Sequence, residues 1–531
     1  MTAPTFCVYH TARRGSPERP SRTDVPTQSI GRGKAWEQIS EALLARVPMK
    51  TLNTYASLGA EFYQAIEPTP VSAPRLLLWN GPLAEELRLD PEALQSDEQK
   101  ASIFAGNVVL PDFQPIALAY AGHQFGGFVP SLGDGRAHLL GEVVDRDGLG
   151  REIQLKGSGP TRFSRGGDGR CALGPAVREF IMSEAMFGLG VPTTRSLCVV
   201  QSGETVRRQR PQPGAIVTRV ARSHLRVGTF QYFAARHNTN AIRTLVDYAV
   251  ERLFPDIEAS SGPERALAFF ERVVSAQIAT VTAWMRVGFI HGVMNTDNTS
   301  ISGETIDFGP CAMLNAYDLE TVYSSIDHRG RYAFGNQPVV LAWNMARLAE
   351  TLLPLLHEDS DRAIDMIQPR LNEVPDRIDA AWRAMMRTKI GLSELGPDDE
   401  SLVTDLQQLM QQHGLDHTNT FAALSGALDD TADSPLPSEL DPWLLRWRSR
   451  FDDAGSRANA QALMRRTNPR VIPRNHHVEA ALAAVVERGD TGPAERLVEV
   501  LRDPYDVGPS TAAYTDPPAD GDRGYQTFCG T

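Results

Sequence analysis

His291-Gly-Val-Met-Asn295-Thr-Asp297-Asn298-Thr-Ser-Ile-Ser-Gly-Glu-Thr-Ile-Asp307-Phe308-Gly309 is the stretch on which the fold turns. It interrupts a region of helical periodicity, between apolar patterns over 264–287 and 337–356, so it reads as loop and strand. Asn298 and Asp307 flank a short hairpin-like segment, and folding it back brings an amide oxygen close to a carboxylate. Mg²⁺ takes hard oxygen ligands and leaves positions for phosphate and water, which makes Asn298 and Asp307 the candidate metal ligands. Asp297 is the candidate general base for an attacking hydroxyl. A loop-capping Asp is its other reading, because Asp favours turns.

Working outward, Glu152-Ile-Gln-Leu-Lys156-Gly-Ser-Gly ends a strand in a flexible turn. Lys156 can reach phosphate oxygens from there; taken alone it also fits a solvated strand end. A helix is expected over 173–189, with Pro175 near its start and Gly190 after its end. One stripe carries Val177, Phe180, Ile181 and Ala185, and the stripe holding Glu179 carries Met182 and Met186. A helix apolar on two sides is buried on both, so Glu179 needs a partner. Lys156 is one such partner; a surface Glu179 facing Arg178 or Arg162 is the alternative. Strand Lys, helix Glu, loop Asn, then Asp-Phe-Gly is the order in which protein kinases carry their phosphate-binding Lys, its Glu and two metal ligands. The compound order is specific where the bare triplet is not. The His-Arg-Asp of ordinary kinases is absent, since Gly292-Val293 follows His291, so the transfer geometry is expected to differ from ordinary phosphorylation.

Three further elements suit a phosphate-bearing ligand. In Ser131-Leu-Gly133-Asp-Gly135-Arg136 the glycines let backbone N–H groups approach phosphate and Arg136 adds charge; a plain hairpin turn fits as well. Arg219 and Arg226 offer planar forks for phosphate, or belong to a surface basic loop. Asp168-Gly169, inside Arg165-Gly-Gly-Asp-Gly-Arg170, is a nucleotide-side turn or an ordinary flexible loop.

The 531 residues carry a net charge of −12, which argues against broad nucleic-acid binding. Five scattered cysteines with no CxxC pair support neither a zinc site nor a disulfide framework, and a reducing, cytoplasmic setting is the expectation. No run of about 18 apolar residues or secretory signal is read, so no membrane span is expected. Residues 1–48, rich in Pro, Arg, Ser and Thr, read as a disordered extension with one short helix near 36–47. Strand-like runs at 138–144, 152–155, 196–201 and 215–220 mark 49–222 as sheet-rich, and 223–395 as mainly helical. Residues 396–505 are again helical, and 506–531 read as a flexible tail carrying Cys529. The expected fold is α+β: a protein-kinase-like bilobal fold, with a sheet-rich N-lobe, a helical C-lobe and an added C-terminal helical region.

At this point the chain resembles the selenoprotein O (SelO) family, protein adenylyltransferases with a pseudokinase fold. The resemblance rests on Tyr120-Ala-Gly-His-Gln-Phe-Gly126, Leu132-Gly-Asp-Gly-Arg136, Gln154-Leu-Lys-Gly-Ser-Gly-Pro-Thr161 through Arg170, Val191-Pro-Thr-Thr-Arg195, the 291–298 and 307–309 segments, Asp327-His-Arg-Gly-Arg-Tyr332 and Asn475-His-His477. It covers about Leu52 to the C-terminus. It implies an ATP inverted relative to a kinase, its α-phosphate facing the acceptor, and AMP transfer to Ser, Thr or Tyr hydroxyls of protein substrates. Gly133, Gly135, Arg136, Lys156, Asp168, Gly169, Arg219, Arg226 and Asp307 would hold ATP, Glu179 would orient Lys156, Asn298 and Asp307 would bind Mg²⁺ (Mn²⁺ being the alternative ion), and Asp297 would accept the proton. Phosphoryl transfer and a silent ATP-binding scaffold are the competing functions. The resemblance also implies a redox-active Cys529, but Tyr323 stands where some relatives have its partner cysteine. Cys311 or Cys171 as substitute, other thiols as targets, and a bystander tail cysteine remain the alternatives.

Overall fold

The apolar runs of the first half pair into one antiparallel sheet. The computed structural model describes residues 51–89, 94–259, 261–394, 399–428, 436–506, 508–519 and 521–528. The chain divides into two units, 1–47 and 48–531. The expected N-terminal extension and short helix, and Cys529, lie outside the described residues. The strands are β1 (Thr51–Leu52), β2 (Tyr63–Ala65), β3 (Arg75–Trp79), β4 (Ile116–Leu118), β5 (Gly122–Gln124), β6 (Gly127–Val129), β7 (Ala137–Val144), β8 (Gly150–Lys156), β9 (Cys171–Ala172), β10 (Arg195–Arg207) and β11 (Pro211–Ala221), followed in the helical half by β12 (Phe289–Ile290) and β13 (Ala312–Met313). The main sheet runs β2-β4-β7-β8-β11-β10-β3, with β1 on β7 and β9 on β11; β5–β6 and β12–β13 are separate two-stranded pairs.

Register decides which side chains reach the site. Lys156 lies opposite Ala137 and Val217, and Gln154 opposite Leu139 and Arg219. Side chains alternate along a strand and cross-strand partners share a face. Gln154, Lys156 and Arg219 therefore share one face of the sheet, while buried Ile153 and Leu155 take the other. β10 and β11 run longer than the apolar patterns 196–201 and 215–220. Their polar ends pair with each other through a bulge between Gln201 and Thr205, held by backbone bonds that need no apolar side chains.

The helices are α1 (Gly81–Glu86), α2 (Asp97–Phe104), α3 (Leu173–Gly188), α4 (Val227–Ala234), α5 (Thr239–Leu253), α6 (Gly262–Val287), α7 (Gln337–Leu356) and α8 (Ser360–Lys389), then six more between Asp399 and Leu501. α3 is buried on every side from Ala176 to Met186. It packs on β10 and β11, and on the C-terminal helices Asn475–Arg488 and Gly492–Leu501. Each buried Val, Ile, Phe or Met there contributes about 1.5–3 kcal/mol, so α3 holds a fixed position over the sheet. α6 and the segment 334–356 are long and apolar enough to cross a membrane, yet 56% and 61% of their apolar windows are buried inside the protein.

The segment between Asn298 and Asp307 is not a hairpin. Ser300 bridges Arg226, and Thr305 bridges Thr193. Its backbone pairs instead with residues before β10 and at the start of α4, and these contacts take the place of local pairing.

Candidate active site

Lys156 Nζ donates to Glu179 Oε2 at 2.7 Å and to Asp307 Oδ1 at 2.8 Å. Glu179 is only 2% exposed, and its second oxygen accepts from Arg219 Nε. Arg219 is held further by Gln154 Oε1 at 3.3 Å and lies 3.6 Å from Asp307 Oδ1. Sheet register supplies Lys156, Gln154 and Arg219, α3 supplies Glu179, and the loop before β13 supplies Asp307. Burial works to raise the Glu179 carboxyl, but Arg219 and Lys156 outweigh it and hold it below the usual carboxylate range. The same contest at Asp307, burial against Lys156, Arg219 and Arg136, ends well below that range. Both acids are anionic, and the cluster needs all its members, since removing one partner of a buried ion pair costs about 3–5 kcal/mol.

Asp307 adopts φ 68°, a left-handed backbone that few residues other than glycine take. Its side chain is 23% exposed, and its contacts with Lys156 and Arg219 fall on Oδ1. Asn298 commits its Nδ2 to Val293 O at 3.0 Å, which leaves its amide oxygen for a ligand. Among the described residues no group of three or more His, Cys, Asp or Glu side chains converges to hold a metal. Two hard oxygens from Asn298 and Asp307 nevertheless fit Mg²⁺, which keeps waters and substrate phosphates as its other ligands.

Asp297 sits in a 3-10 turn (Thr296–Asn298) and is 8% exposed. Gln124 Nε2 donates to its Oδ2 at 3.3 Å, while its Oδ1 is buried with no hydrogen-bond partner. Burial pushes the carboxyl up to about 6, against the pull of its backbone hydrogen bond, Arg226 and Gln124. A carboxylate held near neutrality, with one oxygen unsatisfied, is suited to accept a proton. Arg226 caps α4, donates from Nη1 to Asp297 O at 3.1 Å, and lies 4.3 Å over the Tyr120 ring, with Nη2 buried and unpartnered. His291 ties the loop together, its Nε2 2.9 Å from Ile306 O.

The glycine-rich elements converge on the end of β8. Gly157 N donates to Arg136 O at 2.7 Å, and Gly159 N to Gly169 O at 3.1 Å. A Cβ on Gly133 would lie 2.2 Å from the Phe163 ring, one on Gly135 2.8 Å from Phe163 O, and one on Gly169 2.1 Å from the Gly159 carbonyl carbon. In this structure these glycines are required by the close approach of the 159–169 loop. Asp168 pairs with Arg208 at 2.8 Å and accepts from Arg170 N; none of its contacts among the described residues is to the Lys156 cluster. Sequence reasoning missed Gln124, Gln154, Tyr120 and Asp134, which is buried and accepts from Leu118 N and Gln154 Nε2. Two-residue spacing from Lys156 was the available signal for Gln154.

The C-terminal residues dock behind the Asp307 loop. Thr527 N donates to Tyr323 O at 2.8 Å, Thr527 Oγ1 to Pro310 O at 2.6 Å, and Tyr323 Oη to Asp522 Oδ2 at 2.6 Å. Cys171, Cys198 and Cys311 are free and buried. Burial pushes the Cys198 and Cys311 thiols up to about 12, which suppresses thiolate chemistry there.

Comparison with known proteins agrees with this chemistry. The family described as "Protein adenylyltransferase SelO" matches residues 46–502. A protein nucleotidyltransferase YdiU of Teredinibacter turnerae is 51% identical over 485 residues, 91% of this chain and 100% of that protein. The protein nucleotidyltransferase YdiU of Rhizobium rhizogenes is 51% identical, covering 92% of this chain and 98% of its own length. With a catalytic-type cluster in place and a match across most of its length, the chain belongs to the SelO family of protein adenylyltransferases.

Proposed function

We propose that this adenylyltransferase, whose co-substrate is ATP and whose acceptors are proteins, modifies Ser, Thr or Tyr hydroxyls using the cluster centred on Lys156 and the base Asp297. The observation that carries the reading is the unsatisfied Oδ1 of Asp297, buried beside the Lys156–Glu179–Arg219–Asp307 network. The sheet with α3 and the helical half act as the two lobes of a kinase-like fold, divided near residue 222, with 396–505 an added helical region. The setting is cytoplasmic.

Lys156, Arg219, Arg226 and Arg136 hold the triphosphate, with the loops of Gly133, Gly135, Asp168 and Gly169 closing over it and the α-phosphate facing the acceptor. Asn298 and Asp307 would hold Mg²⁺, which would neutralise phosphate charge. The acceptor oxygen attacks the α-phosphorus, the bond from that phosphorus to the pyrophosphate oxygen breaks, and the hydroxyl proton passes to Asp297. Catalysis is positioning plus charge stabilisation.

The test is incubation with Mg²⁺, acceptor protein and ATP labelled at either the α- or the γ-phosphate. Protein-bound α-label alone, mapped to hydroxyl residues and lost in Asp307→Ala, is expected. γ-Label on protein would overturn the inverted nucleotide in favour of phosphoryl transfer.

A further inference from the structure

The hairpin β5–β6 is an anomaly beside the base. Gln124 pairs with Gly127, so the turn is the two residues Phe125-Gly126, at φ 49° and 84°. A turn with two positive φ values favours Asn-Gly or Gly-Gly, and a bulky residue at positive φ is an outlier. Here that position holds a phenylalanine 38% exposed, and Phe128 beyond it is 41% exposed. Strain of this kind persists where surrounding structure enforces it, and it is more often kept for function.

Three of the contacts that hold it come from the Asp297 loop, and Gln231 Nε2 lies 2.8 Å from His123 Nδ1. His123 N donates to Thr296 Oγ1 at 2.7 Å, Phe125 N to Asn295 Oδ1 at 3.1 Å, and Gln124 Nε2 to Asp297 itself. The two exposed rings stand against buried and half-buried aromatic residues. Phe125 lies 5.1 Å from the Tyr332 ring, while His123 lies 4.9 Å from Phe128 and 5.2 Å from Trp343. The Arg331 guanidinium stacks 4.7 Å from Trp343, beneath Gly126. Its Nε is buried with no hydrogen-bond partner, while the guanidinium hydrogen-bonds the Tyr332 side chain and meets no carboxylate of a described residue. Neighbouring Arg347 is already engaged by Glu350 at 2.7 Å.

We infer that this platform is where the acceptor polypeptide docks: an aromatic or large apolar side chain near the target hydroxyl lodges against Phe125 and Phe128, and an acidic side chain pairs with Arg331. The inference rests on the hydroxyl-acceptor reading above and adds the recognition element. Continuity with Asp297 argues for the acceptor as occupant, because a chain lying on the hairpin passes the base. The unpaired cation argues for an acidic partner, and burying an aromatic side chain between two others favours an apolar one.

The test uses the full-length enzyme, α-labelled ATP and serine peptides flanked by Phe and Glu, by Ala and Glu, or by Phe and Lys. Phe125→Gly suits the turn backbone, so it keeps the fold; it is paired with Phe128→Ser. The wild type is expected to favour the Phe/Glu peptide over Ala/Glu by about tenfold in kcat/KM. The double variant should lose that preference through a raised peptide KM, with ATP affinity, read by displacement of a fluorescent ATP analogue, unchanged. Arg331→Glu should reverse the choice between Glu- and Lys-flanked peptides, which a merely structural role would not do. Variants that keep wild-type preferences and peptide KM overturn the inference while leaving hydroxyl transfer standing. So does a change in oligomeric state with unaltered peptide kinetics, which would assign the face to self-association. A wild-type enzyme that labels proteins but no hydroxyl peptide of any flank would overturn the hydroxyl reading and this inference with it.

Discussion

Lys156 and Asp307 are 151 positions apart in the chain, yet Nζ lies 2.8 Å from Oδ1. The same ammonium group is 2.7 Å from Glu179. One lysine thus links the sheet, the buried helix α3 and the loop that carries the candidate metal ligand.

Glu179 is the member whose loss is felt most by the fold. Glu179→Ala leaves Lys156 and Arg219 partly uncompensated in a buried setting, at a cost of about 3–5 kcal/mol. The midpoint in urea should fall with little change in slope. Glu179→Gln, which keeps the shape and one acceptor, should lose less stability while still lowering adenylyl transfer at least tenfold. Wild-type stability in both variants would mean that the pair contributes nothing net.

Asp307→Ala separates binding from transfer. It removes a carboxylate from beside Lys156 and Arg219, so metal-free ATP should bind more tightly, while AMP transfer falls by about 100-fold or more. Calorimetry in the presence of a chelator reads the first effect, and label incorporation the second. Weaker metal-free binding in the variant would contradict the charge argument.

If Asp297 is the base proposed above, it should set the acid limb of the pH profile. Its carboxyl, raised by burial to about 6, must be ionised to accept a proton. kcat/KM should therefore rise with pH through about 6 and level above it. Gln124→Leu removes a hydrogen bond that favours the anion, so the limb should move to higher pH. Asp297→Asn should abolish the limb and lower the rate by about 10²–10⁴-fold. A profile that is flat between about pH 5 and 8 would remove Asp297 from the role.

Gly133 tests the loop packing. An alanine Cβ there meets the Phe163 ring at 2.2 Å, on a backbone at φ 65°. Gly133→Ala should destabilise by about 1–3 kcal/mol, and the companion change Phe163→Ala should recover ATP affinity in part by making room. No recovery in the double variant would place the defect in the backbone conformation and not in the overlap.

The docked C-terminus offers a further handle on the Asp307 loop. Asp522 accepts from Tyr323, from Asn315 at 2.6 Å and from Asn475 at 3.3 Å. Asp522→Ala leaves three donors without their acceptor and should cost more than Tyr323→Phe, for which about 1 kcal/mol is expected. Hydrogen exchange across 310–325 should quicken in the first variant and barely in the second.

The sequence by itself determined the candidates for the chemistry and their order along the chain. Lys156, Glu179, Asn298 and Asp307 were legible because charge on an apolar helix, a strand-end lysine and an Asp-Phe-Gly triplet are local patterns. Helix α7 was legible for the same reason, its periodicity running from Gln337 to Leu356. Only tertiary structure decided the partners of that cluster. Arg219 joins Glu179 through strand register, Gln124 reaches Asp297 from a hairpin 173 positions away, and the segment after Asn298 bridges to Arg226 and Thr193 in place of itself. These contacts are long-range, and no local pattern encodes them. The physical reason is that a buried charge or an unpaired backbone group takes whichever partner the packed fold brings within hydrogen-bond reach, however distant in the chain.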